Sequence, residues 1–168
     1  MRVMFAKSSV RFFRGTLLGV LCLATFLAVG CSGAGPAQPN IIFILTDDLD
    51  FASAQRMPKL NSLLADEGTS FDKAFTSQSL CCPSRSTILT GLYAHNHGVK
   101  GNFPPQGGFQ KFYSEGLEEN TIATHLKEAG YQTVFFGKYL NGYPGDEDLS
   151  YVPPGWDEWY GRLDENVL

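Results

Sequence analysis

Hydrophobic positions fall into blocks along this chain, and each block has its own period. The longest mainly apolar run is Leu17 to Val29. It is preceded by a basic start and is too short for a comfortable membrane span. Asn40-Ile41-Ile42-Phe43-Ile44-Leu45 is continuous and rich in β-type residues, so it predicts a central parallel strand buried on both faces. From Met57-Pro58 the pattern turns helical, with Leu60, Leu63 and Leu64 on one face and Gly68 as a stop. Thr69 to Thr76 alternates enough for a strand. Pro83 then opens an apolar run that Gly91 ends, a short helix with Pro in its first turn and Gly just past its end. Gly98 to Gly116 has no clear period; a long irregular segment of that kind tends to be functional and could line a substrate cleft. Asn120 can cap a helix carrying Ile122, Ala123 and Leu126, ended by Gly130. Tyr131-Gln132-Thr133-Val134-Phe135-Phe136 predicts the next strand. The order strand, helix, strand, helix, helix, strand points to an α/β fold.

Composition narrows the class. The chain has 168 residues, 43% apolar and 18% charged, enough for one globular domain with a core. The formal net charge is −4. Arg2, Lys7, Arg11 and Arg14 precede every acidic residue, so the part after residue 30 stands at −8. That argues against nucleic acid as partner and requires a local positive site for any anionic substrate. Residues 1–30 form a secretory signal peptide, and Arg11 and Arg14 are not adjacent, so a twin-arginine signal is not supported. Of four cysteines, Cys22 and Cys31 belong to this leader region. Cys81 and Cys82 are neighbours, and a bond between adjacent residues is strained, so no disulfide framework is expected.

Three stretches carry candidate chemistry. Asp47 and Asp48 follow the first strand at its C-terminal end, where α/β sheets bind ligands. Successive strand residues point oppositely, so the two carboxylates converge only if the chain turns there. Converging, they suit calcium, with magnesium the lesser choice; the alternative is a solvated acidic loop, which is how Asp50 reads. Cys81 and Cys82 lie at a helix N-terminus, with Arg85 returning over that end one turn later. A thiol there suits chemistry on an anion, or is a structural thiol beside a surface Arg. His95 and His97 alternate and could face a metal from one side of a strand, but no third ligand has zinc spacing. His125 reads as a surface or packing residue on its helix.

Cys81-Cys82-Pro83-Ser84-Arg85, followed by Ser86 and then Thr90-Gly91, resembles the C-x-P-S-R signature of the type I sulfatases, of the alkaline-phosphatase-like superfamily. The resemblance extends from about Pro39 to Tyr160. It implies an alkaline-phosphatase-like α/β fold: a mixed, mostly parallel sheet flanked by helices, present here in its N-terminal part only. It implies that Cys81 is converted to formylglycine, that Asp47, Asp48 and position 81 hold calcium, and that Arg85 and Lys138 are catalytic. Lys138 would also bind the sulfate group. The family often carries His near residues 95–97, where it shapes the pocket wall. Lys138-Tyr139-Leu140-Asn141, with Val152-Pro153 and Gly155-Trp156, looks like the N-acetylglucosamine-6-sulfatase branch and its heparan-sulfate relatives. The arylsulfatases of lysosomal type have His where Leu140 stands. Asn141 is then a substrate-binding candidate, and Trp156 and Trp159 either stack on a sugar or pack internally.

The implied function is hydrolysis of sulfate esters of N-acetylglucosamine-6-sulfate or related glycosaminoglycan sugars, with a sulfatase-maturing enzyme as partner. The alternatives are a phosphonate or phosphodiester hydrolase of the same superfamily, or an inactive surface lipoprotein. Ala28-Val29-Gly30-Cys31 resembles a bacterial lipobox, which would make Cys31 the lipidated residue and 31–38 a flexible tether. An ordinary cleaved signal is the other reading. Either way the expected place is the bacterial cell envelope, lipid-anchored, periplasmic or secreted. Residues 39–168 would then be an incomplete catalytic domain. The remaining calcium ligands and a further Lys and His would lie beyond Leu168, and residues 31–168 alone should be inactive.

Overall fold

The computed structural model describes residues 38–164. The signal-peptide reading of residues 1–30, the tether up to residue 37 and Cys31 lie outside the described residues. The chain divides into two units at Leu45/Thr46.

In the first unit, residues 40–45 have no regular secondary structure and belong to no sheet. Ile42 is 85% exposed, and Ile41, Phe43 and Ile44 are more than half exposed. The buried central strand expected here is therefore not observed. An apolar strand is buried only when neighbours pair with both edges and layers cover both faces, and no strand among the described residues pairs with it.

The second unit begins with short helical pieces. α1 (Phe51–Gln55) is capped by Asp50, whose carboxylate accepts from the Ser53 amide at 2.9 Å. Asp50 thus has a local structural job. α2 (Pro58–Leu60) runs into a π turn, Asn61–Ala65. The predicted helix is present, but Leu63 and Leu64 on its apolar face are exposed. Residues 69–76 are irregular, with one turn at 72–73, instead of the expected strand.

The packed body follows. α3 (Cys81–Thr90) carries the motif and ends at Gly91, whose φ of 70° is the left-handed cap that Gly accepts without a Cβ penalty. α4 (Ala94–His97) is a single turn, so His95 and His97 do not stand on a strand face. α5 (Gly108–Ser114) occupies part of the segment that showed no period. Its glycine-rich entry conceals the signal, but Phe109, Phe112 and Tyr113 have i, i+3, i+4 spacing, and both Phe side chains are fully buried. α6 (Ile122–Glu128) is capped by Thr121, one residue later than expected, in a reciprocal pair with Thr124.

β1 (Val134–Lys138) and β2 (Glu158–Arg162) pair in parallel, from Val134 opposite Glu158 to Lys138 opposite Arg162. β1 starts three residues later than the pattern suggested, because Thr133 is committed to side-chain and backbone bonds with Asp157 and Gly155. β2 was not foreseen; Trp159 and Tyr160 sit in it. Phe135 stacks on Trp159 at 4.4 Å between ring centroids, and Trp156 lies edge-on to Phe135. The tryptophans pack internally. Gly155, in the Val152–Trp156 motif, has φ 89°, and a Cβ there would come within 2.5 Å of the Thr124 amide nitrogen. Only glycine lets this loop close on α6.

The core gathers Cys82, Val99, Phe109, Phe112, Tyr139, Leu140 and Tyr143. Edge-on ring contacts among Phe109, Phe112, Tyr139 and Tyr143 fix its shape. Glu118 is buried beneath it and accepts from the Tyr139 and Tyr151 hydroxyls at 3.1 and 2.7 Å. Helices around a small parallel sheet agree with the α/β class.

Candidate active site

The site forms where the end of β1, the start of α3 and the Thr46–Asp48 turn meet. Asp48 has φ 54°, a left-handed conformation that is uncommon for a residue with a side chain. This is the turn that convergence of the Asp pair requires. Metal-competent atoms of Asp47, Asp48 and Cys81 lie within 4.8 Å of one another.

Asp47 is the hub. Its Oδ2 accepts from Lys138 Nζ at 2.8 Å, and its Oδ1 from Arg85 Nη2 at 3.2 Å. The Lys138 hydrogen bond holds the Asp47 carboxyl below its usual range and, with help from Arg85, outweighs the opposing effect of burial. Burial pulls Lys138 the other way, yet Asp47 and Cys81 leave its ammonium raised above the ordinary lysine value. Lys138 Nζ also lies 3.5 Å from Cys81 Sγ, and Cys81 Sγ lies 3.9 Å from Asp47 Oδ1. Arg85 is locked by a second bond, Nη1 to the Lys138 carbonyl at 2.6 Å. Both cations are thereby tied to the end of β1 and the start of α3.

The two cysteines differ sharply. Cys81 is half-buried and faces the charged cluster. Cys82 has no exposed surface, and burial pushes its thiol up to about 11. It contacts Asn141: the Asn141 amide nitrogen donates to Sγ at 3.1 Å, and Sγ lies 3.3 Å from Oδ1. Asn141 thus bonds the first turn of α3 through Cys82 and takes no part in the bonds of Asp47 to Lys138 and Arg85.

Asn102 is a residue that sequence reasoning missed. Leu80, the N-cap of α3, has no capping side chain. Asn102 Oδ1 takes that role from a distance, accepting from the Cys82 amide at 2.9 Å. Nothing local announces a cap twenty positions away. His97 is buried; its Nδ1 accepts from the Val99 amide and its Nε2 meets Thr87 Oγ1 at 3.1 Å, joining α4 to α3. Burial keeps its pKa low. His125 is exposed beside Glu128 on α6.

Comparison with known proteins fits this geometry. The sulfatase family model matches residues 39–163. An extracellular sulfatase SULF-1 homolog of Drosophila melanogaster is 46% identical over 134 residues, 79% of this chain and 12% of the relative. Human N-acetylglucosamine-6-sulfatase is 40% identical over 152 residues, 88% of this chain and 27% of the relative. An arylsulfatase of Chlamydomonas reinhardtii is 32% identical over 131 residues, 76% of this chain and 20% of the relative. The chain therefore spans between about an eighth and a quarter of the length of these relatives. No solved structure matches. With the motif residues gathered at one strand end and the family model running through both strands, the chain belongs to the sulfatase family.

Proposed function

We propose that this segment supplies the nucleophile side of a sulfuric ester hydrolase active site. The carrying observation is the convergence of Cys81, Lys138, Arg85 and Asp47 at one strand end. In an otherwise acidic chain, Lys138 and Arg85 are the fixed positive charge that a sulfate ester needs. Asp47 orients both cations. The N-terminus of α3 favours an anionic oxygen at position 81. Lys138 offsets the charge that builds on the sulfuryl oxygens, already placed and so without reorganisation during the reaction.

Formylglycine derived from Cys81 would supply, when hydrated, two hydroxyls on one carbon: one to attack sulfur and one to release sulfate. A thiol has no second hydroxyl, which is why conversion matters. The donor set fits calcium once position 81 bears oxygen, because Asp47 and Asp48 offer hard carboxylates and a thiol sulfur is the one soft member. Bound by Asp47, Asp48 and position 81, the ion would act as a Lewis acid toward the sulfuryl group.

The substrate class we infer is a 6-sulfated N-acetylglucosamine or a related glycosaminoglycan sugar. Support comes from the Lys138–Asn141 run and from the human relative's name. Asn141 spends its Oδ1 on Cys82, so its Nδ2 protons are the groups left for a sugar hydroxyl. A sulfatase-maturing enzyme is the required partner. Export agrees with the extracellular relatives and with the apolar leader. Lipidation at Cys31 in a bacterial envelope is our reading of the leader alone.

The test is expression of a full-length sulfatase carrying this segment, beside a maturase and with calcium. Peptide mass spectrometry should find the aldehyde at position 81, and 6-sulfated N-acetylglucosamine should be cleaved faster than the matching phosphate ester. Conversion at Cys82, or a preference for phosphate, would overturn the reading.

A further inference from the structure

Cys82 is a buried nucleophilic side chain that the proposed chemistry does not use. It sits one residue after Cys81, in the first turn of α3, and is part of the core. Its backbone amide is held by Asn102 Oδ1 at 2.9 Å. Its sulfur receives the Asn141 N–H at 3.1 Å and lies 3.3 Å from Asn141 Oδ1, so the thiol both accepts and donates. Asn141 is itself fixed, because its carbonyl accepts from the Phe109 amide at 2.8 Å. Three segments therefore meet at one sulfur: the start of α3, the Asn102 loop and the chain leaving β1. The same two elements carry the reactive pair, Cys81 on α3 and Lys138 at the end of β1.

We propose that Cys82 is a positioning residue: its thiol latches the start of α3 to Asn141 and so sets the separation of position 81 from Lys138. Cysteine suits this task. It is small enough for a closed core, costs less to bury than a hydroxyl, and its long bonds to sulfur reach a backbone N–H that serine would reach less well. The latch cannot be replaced by Arg85 alone, whose bond to the Lys138 carbonyl comes from one turn further along. The importance of this separation rests on the sulfatase reading; the latch itself can be tested without turnover.

The experiment uses a full-length sulfatase carrying this segment, made without a maturase, so that position 81 keeps its thiol. Cys81 and Cys82 are alkylated under native conditions and read by peptide mass spectrometry. Two probes are compared, neutral iodoacetamide and anionic iodoacetate. Cys82 should react about a hundredfold more slowly than Cys81, since its sulfur has no exposed surface. Cys81 reacts beside Lys138 and Arg85 and also beside the carboxylates of Asp47 and Asp48, so its preference for the anion, read against the Lys138→Ala value, reports how near Lys138 stands. In Cys82→Ala that preference should fall roughly threefold or more, toward the value in Lys138→Ala, and Cys82→Ser, whose shorter reach holds Asn141 less well, should recover only part of it. A merely structural role would lower stability and leave the preference of the folded protein unchanged. An unchanged preference in folded Cys82→Ala, or a Cys82 as reactive as Cys81, overturns the proposal. If circular dichroism shows that Cys82→Ala does not fold, Asn141→Ala decides. It keeps the thiol and removes its acceptor, and should speed Cys82 alkylation about tenfold while lowering the Cys81 preference; no change in either overturns the latch.

Discussion

Residues 46–76 and residues 81–164 belong to the same unit and are built on opposite terms. The second stretch buries Phe109, Phe112, Tyr139 and Tyr143 in a ring-packed core, while α1, α2 and the π turn of the first bury nothing. Phe75 is 90% exposed, and Phe51 and Phe71 nearly as much. Yet the site takes residues from both. Cys81, Arg85 and Lys138 stand on elements fixed by packing. Asp47 and Asp48 stand on a turn whose hold on the site is the pair of bonds from Lys138 and Arg85. One half of the site is positioned by a core and the other by charge. Salt and pH should therefore move the halves apart before heat does.

The largest expected effect bears on the packed half. In a full-length sulfatase carrying this segment, Cys81→Ala should lower kcat by about four powers of ten or more, since groups of a catalytic unit fail together. Steady-state assay on an aryl sulfate measures it, and a loss below tenfold would place the nucleophile elsewhere.

Next comes the charged half. Asp47→Ala removes one metal-competent carboxylate and frees both cations, and should cost roughly a hundredfold or more in calcium affinity. Isothermal titration of the same protein measures this. Asp48→Ala should behave alike, and normal metal content in either variant would move the ion site away from the turn.

A third substitution pair tests the contrast through stability. Phe109→Ala in the core should cost about 3–5 kcal/mol. Phe75→Ala in the exposed stretch should stay within about 0.5 kcal/mol. Equal effects in urea unfolding would mean that residues 46–76 are packed in solution.

The smallest effect is with pH. Asp47 has a folded pKa below the ordinary carboxylate value of 3.8, so its contribution is complete above 3.8 and is lost as pH falls through the lower folded value. Lys138 is raised above 10.5, so its contribution is complete below 10.5 and is lost as pH rises through the higher folded value. The turn should thus stay docked between about 4 and 10.5 and loosen on either side. Amide exchange at Thr46–Asp48, compared with that of α3, reads this. Salt should shift the turn and spare α3, because half-exposed ion pairs are screened and a core is not.

Much of the packed half was legible in the chain. Pro83 and Gly91 bracket α3 because each has one backbone preference that suits one helix end. The Val134–Phe136 run forms β1 because branched and aromatic side chains favour a pleated surface. The motif residues Asp47, Asp48, Cys81, Arg85 and Lys138 were all picked out, and the structure draws them together. The expected strands at 40–45 and 69–76 were not observed, since an apolar pattern states what a segment would bury and not whether a partner is present. α5 escaped notice because its glycine-rich entry hides the Phe109–Phe112 period.

By itself the sequence determined which residues can do chemistry: side-chain type and short spacing are local properties, and a thiol on a helix start with an Arg one turn on is a local fact. Tertiary structure alone decided the rest. It showed that Cys81 faces Lys138 while Cys82 turns into the core, that Asn102 caps a helix twenty residues away, and that Asn141 binds a sulfur. These contacts join segments far apart in the chain, and they are set by how elements pack, which no local preference encodes.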